Sequence, residues 1–150
     1  MAEQIRIGTS GWVYQHWQGV FYPADLPQKQ WFAHYAKVFD TVEINSTFYH
    51  LQNASTFEHW GQQAPAGFLY AVKASRYITH IKYLKECKEP LEALLNRASL
   101  LGQALGPVLF QLPPGFSLDL SRLEGFLALL PEGFSYAMEF RNPTWLTEEV

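Results

Sequence analysis

The segment Thr41-Val42-Glu43-Ile44-Asn45-Ser46-Thr47 decides the reading of this chain, because it is a short β-branched run set between two stretches of helical period. Before it, Trp31, Phe32, Tyr35, Val38 and Phe39 recur at three- and four-residue spacing; after it, Phe57, Trp60 and Ala64 do the same. β-Branched and aromatic side chains suit a pleated strand, whereas apolar residues three and four apart line one face of a helix. A strand with a helix on either side is the unit from which parallel α/β sheets are built.

Working outward, the same strand character recurs at Ile5 to Ser10, Phe68 to Ser75, Pro107 to Leu112 and Ser135 to Arg141. Helical period returns at Leu91, Leu94, Leu95, Ala98, Leu101 and at Leu123, Phe126, Leu127, Leu130. Capping boxes, Ser55 with Glu58 and Ser121 with Glu124, are expected to open two of the helices. Strict alternation predicts parallel strands joined by helical crossovers, with both sheet faces covered. Five units in 150 residues is roughly 30 residues each, the repeat of a (β/α)8 barrel whose usual total is about 250 residues. The expected fold class is therefore α/β, of (β/α)8 TIM-barrel type, truncated to about the first five β/α units, with residues 1–150 as one α/β domain. Thr147-Glu148-Glu149 reads as the start of a further helix. A complete, doubly wound open sheet of five strands suits the same length and stays open at this point.

Composition narrows the function classes. With 48% hydrophobic and 17% charged residues the chain can build a core, which excludes disorder throughout. A net charge of -3 argues against a general nucleic-acid coat, so any nucleic-acid role would have to be local. No apolar run approaches the ~20 residues of a membrane helix, and Met1-Ala2-Glu3-Gln4-Ile5-Arg6 lacks a secretory pattern, so the expectation is a cytoplasmic protein with no membrane partner. Cys87 is the one cysteine, which excludes an internal disulfide and a cysteine zinc cage. His16, His34, His50, His59 and His80 show no metal-binding pair with a carboxylate between; no metal ligand is assigned and the cofactor stays unknown.

In parallel α/β folds, ligands bind beyond the carboxyl ends of the strands. Here those ends are polar: Thr9-Ser10-Gly11-Trp12; Glu43, Asn45 and Thr47, running on to Tyr49; Lys73, Ser75 and Arg76, running on to His80; Gln111; and Glu139 with Arg141. Strand period two puts Glu43 with Asn45 and Thr47, Lys73 with Ser75, and Glu139 with Arg141 on common faces. Convergence of those faces would crowd two carboxylates with a lysine and an arginine, the condition for shifted pKa values, although ion pairs made only for structure produce the same crowding. Trp12, Tyr14, Trp17, Phe21 and Tyr22 form either a stacking wall for a ligand or a plug over the end of the sheet. Lys73 to Lys88 holds five of the eleven Lys and Arg residues; its later part, Lys82, Lys85 and Lys88, reads as a solvated helix face. Cys87 reads as a small packing residue.

Taken together, Gly8-Thr9-Ser10-Gly11-Trp12, Phe21-Tyr22-Pro23, Val42-Glu43-Ile44-Asn45-Ser46-Thr47-Phe48-Tyr49, Val72-Lys73-Ala74-Ser75-Arg76-Tyr77-Ile78-Thr79-His80, Phe110-Gln111-Leu112-Pro113-Pro114 and Glu139-Phe140-Arg141 resemble the YecE-like family of unknown function. The resemblance runs from about residue 5 to residue 145, and it implies a TIM barrel whose three further strands this chain lacks. The leading expectation is an enzyme-type barrel binding a polar, anionic, phosphate- or nucleotide-like ligand. Glu43, Lys73 and Glu139 are the catalytic candidates, with Trp12, Tyr14, Asn45, Thr47, Tyr49, Arg76, His80, Gln111 and Arg141 as substrate-binding candidates. One alternative is a non-catalytic nucleic-acid-binding protein, for which the family's likeness to the endonuclease IV barrel is an argument from fold alone. The other is an inactive barrel fragment that self-associates through its open edge.

Overall fold

The computed structural model describes residues 5–150; the part of the secretory-pattern expectation that concerns residues 1–4 lies outside them. Four parallel strands, β1 (Thr41–Ile44), β2 (Leu69–Lys73), β3 (Leu105–Gln111) and β4 (Tyr136–Glu139), form one sheet in the order β1-β2-β3-β4. Among the described residues five α-helices accompany them: α1 (Trp31–Tyr35), α2 (Ser46–Tyr49), α3 (Ala54–Gln63), α4 (Lys88–Ala98) and α5 (Leu120–Leu127). Sequential strand order means that every crossover steps in one direction and lays its helix on one side. A doubly wound sheet reverses its order partway, so the open-sheet alternative is set aside in favour of a partial, barrel-like topology. No helix among the described residues is long and apolar enough to cross a membrane.

Burial alternates as this arrangement demands. Val42, Ile44, Tyr70, Val72, Val108 and Phe110 point into the helices and are fully covered. There they join Phe57 of α3, Leu91, Leu94 and Leu95 of α4, and Leu123 and Phe126 of α5 in one core. Removing any of these rings or branched chains from water is worth roughly 1.5–3 kcal/mol. The opposite face, with Glu43, Ala71, Lys73, Leu109 and Glu139, carries no helix and is half-buried. Coverage of both faces was the expectation; among the described residues only one is covered.

Several local expectations are corrected. Ile5 to Ser10 forms no full strand: it touches the sheet through a single parallel bridge, Ser10 to Glu43, with Glu43 N–H donating to Thr9 O and Gly11 N–H donating to Glu43 O. Gly8 allows the approach, since a Cβ there would stand 2.1 Å from the Thr41 carbonyl oxygen. The strand at Thr41 stops at Ile44 because a helical turn, α2, begins at Ser46, so strand period no longer relates Asn45 or Thr47 to Glu43. Neither capping box forms. Asn53 caps α3 by accepting from Thr56 N–H, and Asp119 caps α5 by accepting from Arg122 N–H. Each serves because its short side chain reaches the third following amide from just outside the helix. At Thr147-Glu148-Glu149 the chain bends, and the Thr147 hydroxyl accepts from Val150 N–H, the third following amide.

Candidate functional site

The sheet register carries the site. Glu43 pairs with Ala71, Lys73 with Leu109, and Gln111 with Glu139, which puts Glu43, Lys73, Gln111 and Glu139 on the uncovered face at its carboxyl end. Lys73 holds its ammonium 4.7 Å from the centre of the Phe48 ring, a cation–π contact that aims a flexible side chain. Glu139 accepts from Gln111 Nε2 at 2.9 Å and from Arg141 Nε at 2.9 Å. Burial alone would push the Glu139 carboxyl up. The Gln111 and Arg141 hydrogen bonds, with the charges of Arg141 and Lys73, outweigh it and hold the group below its ordinary value.

The connection after β2 brings His80 to the same place. Residues Tyr77–Ile81 form a single π-helical turn, a wider winding often found at functional sites. The His80 Nδ1 lies 2.9 Å from the Thr79 hydroxyl and its ring meets Phe48 edge-on at 4.9 Å. Burial, then Lys73, Arg141 and Arg76, lower the His80 pKa, so three cations stand close enough to oppose its protonation. Arg141 is paired with Glu139. Among the described residues neither Lys73 nor Arg76 forms an ion pair with any carboxylate. The chain then passes through Tyr83, Leu84 and Glu86, three non-glycine residues at φ of 47°, 64° and 51°. A left-handed backbone costs roughly 1–2 kcal/mol per such residue, offset here by full burial of Leu84 and Cys87. Burial raises the Cys87 thiol pKa against the opposing effect of Lys82, in keeping with a packing residue. Lys82 is engaged by Glu86 at 3.6 Å, outside the cluster.

The other sequence candidates separate into two groups. Thr47 is completely buried, and its hydroxyl donates to Ile44 O and Lys73 O at 3.0 and 2.6 Å, so it braces β1 against β2. Tyr49 is 67% exposed and meets Phe48 edge-on. Trp12, Tyr14 and Asn45 line a cavity of about 370 Å³ above β1, which Trp60 of α3 completes. Glu43 stands between the two groups, its Oε1 accepting from the Ser10 hydroxyl at 3.0 Å. Trp60 reads from sequence as a core residue of its helix, and its half-exposure is the one signal of more, visible only in three dimensions. Among the aromatic residues that follow Trp12, Tyr22 is packed within the core and stacks on Trp31 at 4.6 Å. Trp17 and Phe21 pack against Tyr22. That part packs against α1.

Among the described residues no three His, Cys, Asp or Glu side chains gather as metal ligands. A family model described as "Protein of unknown function DUF72" matches residues 6–150. The UPF0759 protein YecE of Escherichia coli (strain K12) is 32% identical over 115 residues, 76% of this chain and 42% of that protein. The UPF0759 protein YunF of Bacillus subtilis (strain 168) is 29% identical over 152 residues, 95% of this chain and 52% of that protein. The chain thus spans about half the length of the curated relatives it matches. A DUF72 family protein from Thermotoga maritima MSB8 superposes with a TM-score of 0.82 at 31% identity, over 98% of this chain and 59% of that one. A second, from Enterococcus faecalis V583, gives a TM-score of 0.71 at 18% identity over 96% and 54%, and supports the fold alone.

Proposed function

The chain belongs to the DUF72 family, whose description assigns no activity, and from that premise we propose that the carboxyl end of its sheet binds a small ligand through an anionic group. One observation carries the reading: Lys73 and His80 meet the same Phe48 ring, Arg76 stands close enough to act on His80, and among the described residues no carboxylate forms an ion pair with Lys73 or Arg76. Two cations that form no ion pair among the described residues, Lys73 half-buried and Arg76 exposed, attract an anion, and the surrounding protein strengthens the attraction at Lys73 over its value in water. Arg141 is a third donor, aimed by Glu139, while Gln111 fixes the far oxygen of Glu139. Thr47 acts through the backbone of Lys73 and not on the ligand. Of the two carboxylates, Glu43 is the one with an oxygen that no donor occupies among the described residues, which suits it to proton transfer in an enzyme-type site.

The reading takes the sheet as the first part of a (β/α)8 barrel, supported by the sequential strand order and the one-sided helices. The uncovered face is then the barrel interior, and its carboxyl end the mouth at which such folds bind ligands. Isothermal titration with inorganic phosphate at low ionic strength tests it. Wild type binds, Lys73→Met and Arg76→Met each weaken binding at least about tenfold, and Lys85→Met, on the solvated segment, leaves it unchanged. Equal binding by all four proteins would dismiss the site.

A further inference from the structure

Resting on that reading, we infer that the cavity above β1 is the second half of the same site and receives a flat ring carried by the anionic ligand, so that the ligand is a phosphorylated ring compound of mononucleotide size. The cavity measures about 370 Å³ and is lined by Trp12, Val13, Tyr14, Asn45, Ser46 and Trp60 among others. That volume lies within the range of sites that enclose small molecules. None of the described lining residues is charged, in contrast to the cationic cluster.

The walls are held in place before any ligand arrives. Trp12 is fixed edge-on to Phe32 at 5.4 Å and to Trp60 at 6.1 Å. Tyr14 donates its hydroxyl to the Ser10 carbonyl. Gly11 makes this possible: its φ is 75°, and a Cβ there would meet the Tyr14 hydroxyl at 3.0 Å. At the rim, the Asn45 side chain caps nothing and makes no hydrogen bond among the described residues, which leaves an amide donor and acceptor for the edge of a ring.

A single turn of helix joins the two halves. Asn45 and Ser46 at the start of α2 line the cavity, and Phe48, two residues on, lies against Lys73 and His80. A helix with its side chains is about 10 Å across. A phosphate separated from a flat ring by a spacer of sugar size spans such a gap, whereas bare phosphate reaches one half only.

Calorimetry and tryptophan fluorescence with inorganic phosphate, adenosine and adenosine 5′-monophosphate test the inference. The monophosphate should bind about tenfold or more tighter than phosphate, the gain of stacking one ring, and should quench tryptophan emission. Trp60→Leu should bring the monophosphate down to the affinity of phosphate while leaving phosphate binding intact. Val13→Trp, which fills the cavity from a side chain already 47% exposed, should do the same without disturbing the core. Equal affinities for phosphate and the monophosphate in the wild type would overturn the inference and leave the anion site standing. Adenosine binding without phosphate binding would overturn the anion site and this joined site with it.

Discussion

The two sides of β1 use their side chains in opposite ways. On one side, Phe21, Tyr22, Trp31 and Tyr35 pack ring against ring, and their polar atoms serve the backbone: the Tyr35 hydroxyl accepts from Thr9 N–H and donates to Thr41 O, and the Tyr22 hydroxyl donates to Trp12 O. On the other side, Lys73, Arg76, His80 and Arg141 gather at a half-open face with Glu139 as the carboxylate counterweight. The first region compensates for a weak element, since Ile5 to Ser10 meets the sheet at one bridge and needs a buttress. The second sets three cations, Lys73, Arg76 and Arg141, against the one carboxylate of Glu139, an excess of positive charge that a fold built for stability alone would neutralise. Stability and binding are thereby assigned to different residues, and that division can be tested.

The largest effect should come from the buttress. Trp31→Ala removes a buried ring that stacks on Tyr22 and donates to Leu26 O, and should cost about 3–5 kcal/mol in urea denaturation. Phosphate affinity should stay unchanged under conditions where the variant is folded; a parallel loss of affinity would break the division. Thr47→Val sits at the seam. With its hydroxyl gone, Ile44 O and Lys73 O lose a donor, so about 1–3 kcal/mol should go, and phosphate affinity should weaken as well because Lys73 is less well held. Loss of stability with affinity intact would place Thr47 wholly with the buttress.

The smallest effect should be at Glu139. Its folded pKa lies below the ordinary 4.5, so it stabilises the fold above that value, and the contribution fades as pH falls through the lower folded value. Because the group is 39% exposed, screening limits this to less than about 1 kcal/mol. Urea midpoints of wild type and Glu139→Gln should differ at pH 7 and converge as the pH falls below the folded value of Glu139; a gap that persists in acid would mean that the carboxylate charge is not its source.

How far the sequence could be read follows from the same physics. Strand existence and helix faces at β1 to β4 and α3 to α5 were legible because the burial of Val42, Val72 and Phe110 imprints a period on the chain. The residues on the uncovered face were legible as strand-end polar groups, and register then brought Glu43, Lys73, Gln111 and Glu139 together. Thr47 was misplaced because a helical turn replaced the strand after Ile44, a change of period too short for pattern reading to detect. The caps were misassigned because Asn53 and Ser55, like Asp119 and Ser121, offer equivalent acceptors two residues apart, and only backbone geometry chooses between them. Trp60 was hidden because a tryptophan on the inner face of a helix has the same pattern whether or not a cavity lies beside it.

The most direct test is an NMR pH titration of the His80 ring, assigned with His80→Gln, in the presence and absence of inorganic phosphate. In the free protein His80 should titrate below the ordinary 6.5, as burial and then Lys73, Arg141 and Arg76 dictate. Bound phosphate should offset those charges and move the titration upward. A His80 curve that saturating phosphate leaves in place would contradict the claim that these cations form an anion site.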